Sequence, residues 1–191
     1  MSPVLELFHH HLSDGERLCL DGNPRVIYSV ERNEARLSTG AVELGPELGP
    51  HLLRYEFADE PHLDAQISAT LALDSAGEYL VRCDRVELPP GGIAYLHTHR
   101  GPGIRCLIQG RFRVEVNGLG QTVERFGAWF ESGSEPVEAR AVSDEPAAFV
   151  RVMVLPRELL GRSSIQYVRD EDRDRPKPQR YQVLVDEPLK L

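Results

Sequence analysis

His97 and His99 are the residues whose type and spacing most clearly permit chemistry in this sequence. They lie within residues 89–118, PPGGIAYLHTHRGPGIRCLIQGRFRVEVNG, which otherwise have the pattern of a strand, a tight turn and a second strand. Side chains alternate between the two faces of a strand, so residues two apart project the same way. Two imidazoles that face one space can bind iron, zinc, copper, nickel or manganese. The pair therefore predicts half of a metal site.

The surrounding chain has the pattern of many short strands. Its 16 glycines and 14 prolines interrupt the apolar segments at short intervals. Residues 111–117 alternate most regularly, and Asn117-Gly118 supplies a hairpin turn that tolerates positive φ. Short alternating segments separated by turn residues are typical of a β-sandwich or a closed barrel. The sequence therefore predicts an all-β fold.

Length and charge limit the function classes. A chain of 191 residues suits one well-buried domain. It carries 22 basic and 30 acidic residues, a formal net charge of −8, and has no basic block. Nucleic acid is therefore not an expected partner, because binding to it depends on neutralising phosphates. A small anionic substrate remains compatible, since a few local arginines are enough to hold it.

The cysteines and the N-terminal segment predict a compartment. Cys19, Cys83 and Cys106 are few, odd in number and without C-x-x-C spacing, which favours a reducing environment. Residues 1–16 lack a positive leader followed by an apolar run, so no signal peptide is expected. No apolar stretch approaches the length needed to span a membrane. We expect a cytoplasmic protein without a membrane partner.

The central segment resembles the first conserved motif of the cupin superfamily, G-x5-H-x-H-x3,4-E-x6-G. Gly91, His97, His99 and Gly110 stand at the matching positions. A second cupin motif, G-x5-P-x-G-x2-H-x3-N, aligns from Gly127 with poorer agreement. The resemblance implies a jelly-roll barrel, also called a double-stranded β-helix.

The resemblance covers about half of the chain. It extends over residues 65–156, which are predicted to form the cupin barrel. Residues 1–64 are then an N-terminal extension whose strands pack on the barrel or extend it. Residues 157–191 form a C-terminal arm, within one domain overall. The strand-like ends and the family resemblance together predict a homodimer.

Two departures from the motifs change the predicted ligand set. The family glutamate would stand at position 103, where this chain has Gly103, and the histidine of the second motif is replaced by Glu138. His97, His99 and Glu138 would then form a two-histidine, one-carboxylate set, which is associated with non-haem Fe(II) oxygen chemistry. The neighbours of Glu138 in its strand pattern place it on the polar face. Glu131 is the alternative carboxylate, which a small change of register would turn inward.

Three further residues are predicted to bind substrate. Arg105 shares a strand face with the vacated ligand position, where its guanidinium could hold a carboxylate or an enolate. An ion pair of Arg105 with Glu131 or Glu138 explains the arginine equally well. Tyr95 has the parity of the histidines, and Arg151 lies on the last barrel strand, so both could line the same cavity. A packing role is an open alternative for these two.

Taken together, the sequence predicts a metal-binding cupin of dioxygenase type. The expected substrate is a small organic acid or aromatic compound, and an anionic one is compatible with the predicted arginine. The expected cofactor is one divalent transition metal, with Fe(II) favoured and Mn, Ni or Zn possible. Some cupins have lost their metal, and Gly103 keeps that alternative open. The chain would then be a non-catalytic small-molecule-binding barrel or a metal-free isomerase-like cupin.

Overall fold

The computed structural model describes residues 2–142 and 144–190, and within them the chain is almost entirely antiparallel β-structure. The helical elements are three short 3-10 turns at Pro46–Leu48, Arg157–Leu159 and Asp170–Asp172. None of the helices in these two ranges is long and apolar enough to cross a bilayer. The predicted all-β class is confirmed.

The first third of the chain forms a sheet of its own. Its five strands lie in the order β4-β3-β6-β1-β7. Their bounds are β1 Val4–His11, β3 Arg25–Ser29, β4 Glu34–Ser38, β6 His51–Ala58 and β7 Ile67–Thr70, and a separate ribbon pairs β2 Leu18–Leu20 with β5 Val42–Leu44. Because β7 pairs with β1, the N-terminal sheet extends past residue 64, and the barrel strands begin later than the sequence suggested.

Two further five-stranded sheets form the barrel. The first has the order β13-β10-β15-β8-β17, and the second has the order β12-β11-β14-β9-β16. The bounds in the first are β8 Tyr79–Leu88, β10 Gly103–Gln109, β13 Ala128–Glu131, β15 Ala147–Pro156 and β17 Arg180–Leu189. Those in the second are β9 Ile93–His99, β11 Phe112–Val116, β12 Leu119–Val123, β14 Val137–Ala141 and β16 Ile165–Tyr167.

The order in which the chain visits these two sheets identifies the fold. From β8 to β17 successive strands alternate between them, except that β11 and β12 form a hairpin within the second sheet. A chain that winds back and forth between two facing antiparallel sheets makes a double-stranded β-helix. The prediction of a jelly-roll barrel is therefore confirmed.

The central strands of the first barrel sheet, β8, β10 and β15, are buried on both faces, so the molecule is three layers thick. One face packs on the N-terminal sheet, where Leu5, Leu7 and Tyr28 meet Ile104 and Val152. Across this interface Tyr55 donates its hydroxyl to the carbonyl of Val150 over 3.1 Å. The other face points into the barrel. Strands buried on both faces are apolar nearly throughout, as the β15 sequence AAFVRVMVLP shows. Arg151 is the single charged residue in this otherwise apolar strand.

The C-terminal arm completes both barrel sheets. β16 pairs with β9 at the edge of the second sheet, and β17 pairs with β8 along its whole length at the edge of the first. Arg82 on β8 joins the connection between β15 and β16 to β17. Its guanidinium contacts Asp186 at 2.9 Å and donates to the carbonyls of Arg162, at 2.6 Å, and Leu159, at 2.7 Å. The arm is thus part of the barrel wall.

Candidate metal centre and its cavity

His97 and His99 lie side by side inside the barrel, near the end of β9. Only 6% of His97 and 5% of His99 is exposed, and the two ring centroids are 4.9 Å apart. Both side chains face a cavity of about 300 Å³ between the two barrel sheets. The alternation expected for residues two apart in a strand therefore holds at this position.

The hydrogen bonds of both rings leave the same type of nitrogen facing the site. His97 donates from Nδ1 to the carbonyl of Tyr95 at 2.7 Å, which leaves its Nε2 without a proton. His99 Nδ1 lies 3.1 Å from Ser164 Oγ, and its Nε2 lies 3.4 Å from Arg151 Nη1. Because a guanidinium can only donate, Nε2 of His99 is the acceptor and Nδ1 carries the proton. Histidines that ligate metals are typically oriented by such a bond from the other ring nitrogen.

Both imidazoles are held in the neutral form. Burial lowers the pKa of His97, although the nearby Glu131 carboxylate opposes the shift. Burial lowers the pKa of His99 further, and the guanidiniums of Arg151 and Arg105 act in the same direction. A metal ligand must be unprotonated, so neutral rings are ready to bind.

Glu131 completes the group. Its carboxylate and the two imidazoles each offer a ligand atom, and these atoms lie within 4.8 Å of one another. Oε1 of Glu131 accepts the indole N–H of Trp129 at 2.8 Å, which orients the carboxylate. Oε2 lies 4.0 Å from His99 Nε2 and, among the described residues, has no hydrogen-bond partner although it is buried. The Arg105 guanidinium is 2.7 Å from this oxygen, so a metal ion bound here would share the carboxylate with that ion pair.

Glu138, the carboxylate preferred on motif spacing, is not part of this group. Val137 and Ala139 on either side of it are buried in the barrel core, so the Glu138 side chain is on the opposite face of β14. There it forms an ion pair with Arg140 at 2.9 Å, and 27% of its side chain is exposed. The structure thus brings the alternative carboxylate, Glu131, to the two histidines and leaves the preferred one, Glu138, outside the group.

The carboxylate of this site comes from the strand beside the position that the motif predicts. Gly103 is the register partner of Glu131 across the β10–β13 ladder. A Cβ at Gly103 would overlap the carbonyl oxygen of Val152 on β15, so the backbone leaves no room for a side chain there. Glu131 projects from the neighbouring strand instead.

Arg105 and Arg151 are register partners on β10 and β15, and both line the cavity. Arg105 is 1% exposed, and its Nη2 lies 2.7 Å from Glu131 Oε2, a contact too poorly aligned for a hydrogen bond. The ion pair with Glu131 was one of the two open interpretations of Arg105. Arg151 forms a two-pronged ion pair with the buried Asp84. Both guanidiniums thus face the histidine–carboxylate group.

Tyr95 does not line the cavity, because β9 contains a β-bulge. Val137 pairs with His97 and Ala139 pairs with Ala94, so β14 advances by two residues while β9 advances by three. The extra residue reverses the alternation, and Ala94 faces the cavity in place of Tyr95. The Tyr95 ring instead lies near the cations of the arm, 5.8 Å from Lys177 Nζ.

Sequence reasoning missed three residues that shape the site. The spacing of two between Trp129 and Glu131 is a signal that could have placed both on one strand face. Asp84 and Ser164 gave no local signal. They reach Arg151 and His99 through the tertiary fold, from positions 67 and 65 residues away in sequence.

The residues present fit a divalent transition metal. Two neutral imidazoles whose unprotonated Nε2 atoms face the site and one carboxylate whose Oε2 makes no hydrogen bond are the donor set that such ions prefer. This buried group lies inside a double-stranded β-helix and forms a candidate metal centre. The resemblance to the cupin superfamily is confirmed at the level of the fold.

Comparisons with solved structures return cupins at low identity. The chain is 20% identical to an oxalate oxidase, over 46% of each chain, with a TM-score of 0.41. It is 17% identical to an RmlC-like cupin from Shewanella frigidimarina NCIMB 400, over 44% of this chain and 83% of that one, with a TM-score of 0.37. A cupin-2 domain from Rhodospirillum rubrum is 20% identical, over 55% of this chain and 67% of that one, with a TM-score of 0.40.

The chain thus spans slightly less than half of the oxalate oxidase that it matches. No protein-family model matches the sequence, and a search of curated proteins finds no match.

Proposed function

We propose that this protein is a metal-dependent cupin enzyme that oxidises a small organic anion with dioxygen. His97, His99 and Glu131 would hold one divalent transition metal, with Fe(II) favoured. The observation that carries the proposal is the convergence of three ligand atoms within 4.8 Å in a buried cavity. The residues around them already orient each ligand group.

Different residues would orient the metal ligands and bind the substrate. Tyr95 O and Ser164 Oγ hold the histidine rings, and Trp129 holds the carboxylate. Arg105 would bind and orient the substrate anion, while the apolar part of the cavity wall excludes water. When bound, the metal would supply Lewis acidity and a path for electrons between substrate and dioxygen.

Metal analysis tests this proposal. Protein purified without an affinity tag or chelator should carry about one transition-metal ion per chain, and the His97→Ala/His99→Ala double variant should carry none. Reconstituted with Fe(II), the protein should consume dioxygen with an organic acid as co-substrate. Protein that stays metal-free after incubation with Fe(II), Mn(II), Ni(II) and Zn(II) would contradict the proposal.

A second candidate function is a non-catalytic barrel that binds a small molecule without metal. One observation favours it: two candidate ligand atoms already have cationic neighbours. Arg105 Nη2 is 2.7 Å from Glu131 Oε2, and Arg151 Nη1 is 3.4 Å from His99 Nε2. The same metal titration separates the two candidates. The homodimer, the cytoplasmic location and the preference for iron stay predictions.

A further inference from the structure

The inner face of the first barrel sheet is divided into two levels. On β15 the cavity-facing residue changes from Phe149 to Arg151, and on β8 it changes from Val86 to Asp84. Phe149 pairs with Val86, and Arg151 pairs with Asp84, so the change occurs at the same height on both strands. The same change from an apolar to a charged residue occurs on β10, where the buried Leu107 pairs with Phe149 and the buried Arg105 pairs with Arg151. One level is apolar and the next is charged.

Three aromatic rings form the wall at the apolar level. The ring centroids of Phe112, Trp129 and Phe149 lie 5.3 to 5.8 Å from one another, and all three rings line the cavity. Leu88 and Ala139 extend the same wall. A surface of this kind binds an apolar or aromatic group and offers no hydrogen bonds to a polar one.

The charged level would favour binding of an anion once a metal ion is bound. Arg105 and Arg151 carry two positive charges there, and Glu131 and Asp84 carry two negative ones, so the four charges cancel. A divalent cation would leave two uncompensated positive charges in a buried site, which is costly. Arg105 Nη2 is buried and makes no hydrogen bond among the described residues, and its ion-pair partner Glu131 Oε2 is the oxygen that the proposed metal would bind. A carboxylate placed there would compensate one of these two charges and could accept a hydrogen bond from Arg105 Nη2.

The volume of the cavity suits a single ligand that contacts both the apolar and the charged level. A volume of about 300 Å³ equals roughly ten water molecules at about 30 Å³ each, and a ligand on the order of ten non-hydrogen atoms would fill it. We infer that the cavity binds a carboxylate with an aromatic or similarly bulky apolar body. Its anionic end lies at Arg105 and Arg151, beside His97, His99 and Glu131, and its body lies against Phe112, Trp129 and Phe149.

This inference rests on the proposed function for its metal, and it adds a coupling between the two ligands. Because metal and carboxylate compensate each other's charge, each should tighten the binding of the other. The two factors must be equal, since linkage between binding free energies is reciprocal. A coupling of about tenfold is within the range found for interacting sites.

Trp129, the only tryptophan in the sequence, reports on binding directly. We suggest titrating unmodified protein, metal-free and loaded with Zn(II), while following Trp129 fluorescence and heat. Three probes are compared. Phenylacetate carries both a carboxylate and an aromatic ring, oxalate carries carboxylates without a ring, and benzyl alcohol carries a ring without a charge. Phenylacetate should bind at least tenfold more tightly than either of the others, and Zn(II) should strengthen its binding. Equal or tighter binding of oxalate or of benzyl alcohol would overturn the inference.

Two variants locate the binding. Arg105→Gln should weaken phenylacetate binding at least tenfold, while Arg140→Gln, which changes an arginine on the outer face of β14, should leave it unchanged. Phe149→Ala should weaken phenylacetate binding but not Zn(II) binding. Unchanged phenylacetate affinity in both Arg105→Gln and Phe149→Ala would place the ligand elsewhere and overturn the inference.

The experiment distinguishes failure of the ligand class from failure of the metal site. If Zn(II) binds and phenylacetate does not, the ligand class is wrong and the metal site stands. If phenylacetate binds in an Arg105-dependent way and no metal binds, the ligand class stands and the enzyme proposal fails.

Discussion

Gly103 and Glu131 face each other across the β10–β13 ladder, and together they account for the departure of this chain from the cupin motif. The motif places a carboxylate at the position that Gly103 occupies, but a side chain there would overlap the Val152 carbonyl. The carboxylate projects from the neighbouring strand instead. The site therefore keeps the composition of a two-histidine, one-carboxylate set while changing the strand that supplies the carboxylate.

The first prediction concerns which glutamate binds metal. Glu131→Gln should lower Zn(II) affinity by more than about 100-fold, because an amide is a much weaker ligand than a carboxylate. Glu138→Gln is the matched control, since Glu138 lies on the outer face of β14 and pairs with Arg140. Calorimetric titration of both variants measures the difference. A larger loss in Glu138→Gln than in Glu131→Gln would reverse the assignment.

The second prediction concerns Trp129 as a positioning residue. Trp129→Phe keeps an aromatic ring in the cluster but removes the indole N–H that bonds Glu131 Oε1. Loss of a group that orients a metal ligand typically costs 10–100-fold in metal affinity. Zn(II) affinity should fall by that factor, while the thermal midpoint measured without metal changes little. Unchanged affinity would show that Arg105 alone is enough to hold the carboxylate.

The third prediction concerns Ser164 in the C-terminal arm. Ser164→Ala removes the partner of His99 Nδ1, so the ring loses the contact that holds it. We expect Zn(II) affinity to fall about tenfold. Ser163→Ala is the control, because Ser163 Oγ bonds the backbone N–H of Ile165 rather than a histidine. Equal effects of the two changes would mean that the loop, and not the His99 contact, is responsible.

The fourth prediction concerns the space at Gly103. Gly103→Ala should destabilise the protein by about 1–3 kcal/mol, the usual cost of overpacking, because the new methyl group meets a backbone carbonyl that cannot rotate away. Gly120→Ala is the comparison, since its new methyl group would meet the end of the flexible Arg113 side chain. Denaturant unfolding measures both free energies. If the two variants lose the same stability, the packing argument at Gly103 fails.

The fifth prediction concerns the pH dependence of stability. Burial, assisted by Arg54, lowers the pKa of His10 to about 4. In the unfolded chain this ring gains a proton near pH 6.5, so the unfolded state binds more protons between pH 6.5 and 4. Stability should therefore fall as the pH is lowered through this window and level off below it. Screening of the part-exposed ring limits the effect to on the order of 1–2 kcal/mol.

Replacement of the ring tests this pH dependence. His10→Phe should reduce the slope and leave the part that comes from His97 and His99, whose pKa values burial also lowers. His11→Gln, at an exposed neighbouring position, should leave the whole slope in place. Free energies of unfolding measured at several pH values give both slopes. An unchanged slope in His10→Phe would assign the pH dependence to other groups.

Local sequence patterns were sufficient to predict the all-β class and the histidine pair, and the resemblance to the cupin motif supplied the jelly-roll barrel. Alternation within β9 places His97 and His99 on one face, and that rule needs no knowledge of other strands. The choice between Glu131 and Glu138 depends on which face of β13 and β14 turns inward, and spacing within a motif does not determine that. The bulge that turns Tyr95 away is likewise a property of the β9–β14 pair. Contacts such as Arg151 with Asp84 join residues far apart in sequence and follow only from the assembled sheet.

The pairing of β17 with β8 has a consequence for the synthesis of the protein. Residues 180–189 cover one edge of β8, whose own residues 79–88 are made about a hundred positions earlier. At 5–20 residues per second, the ribosome takes roughly 5–20 s to deliver the covering strand. Until then a ten-residue edge of unpaired backbone groups is open to other chains, which is a known route to aggregation. A nascent chain that is interrupted in this interval should be a preferred client of chaperones.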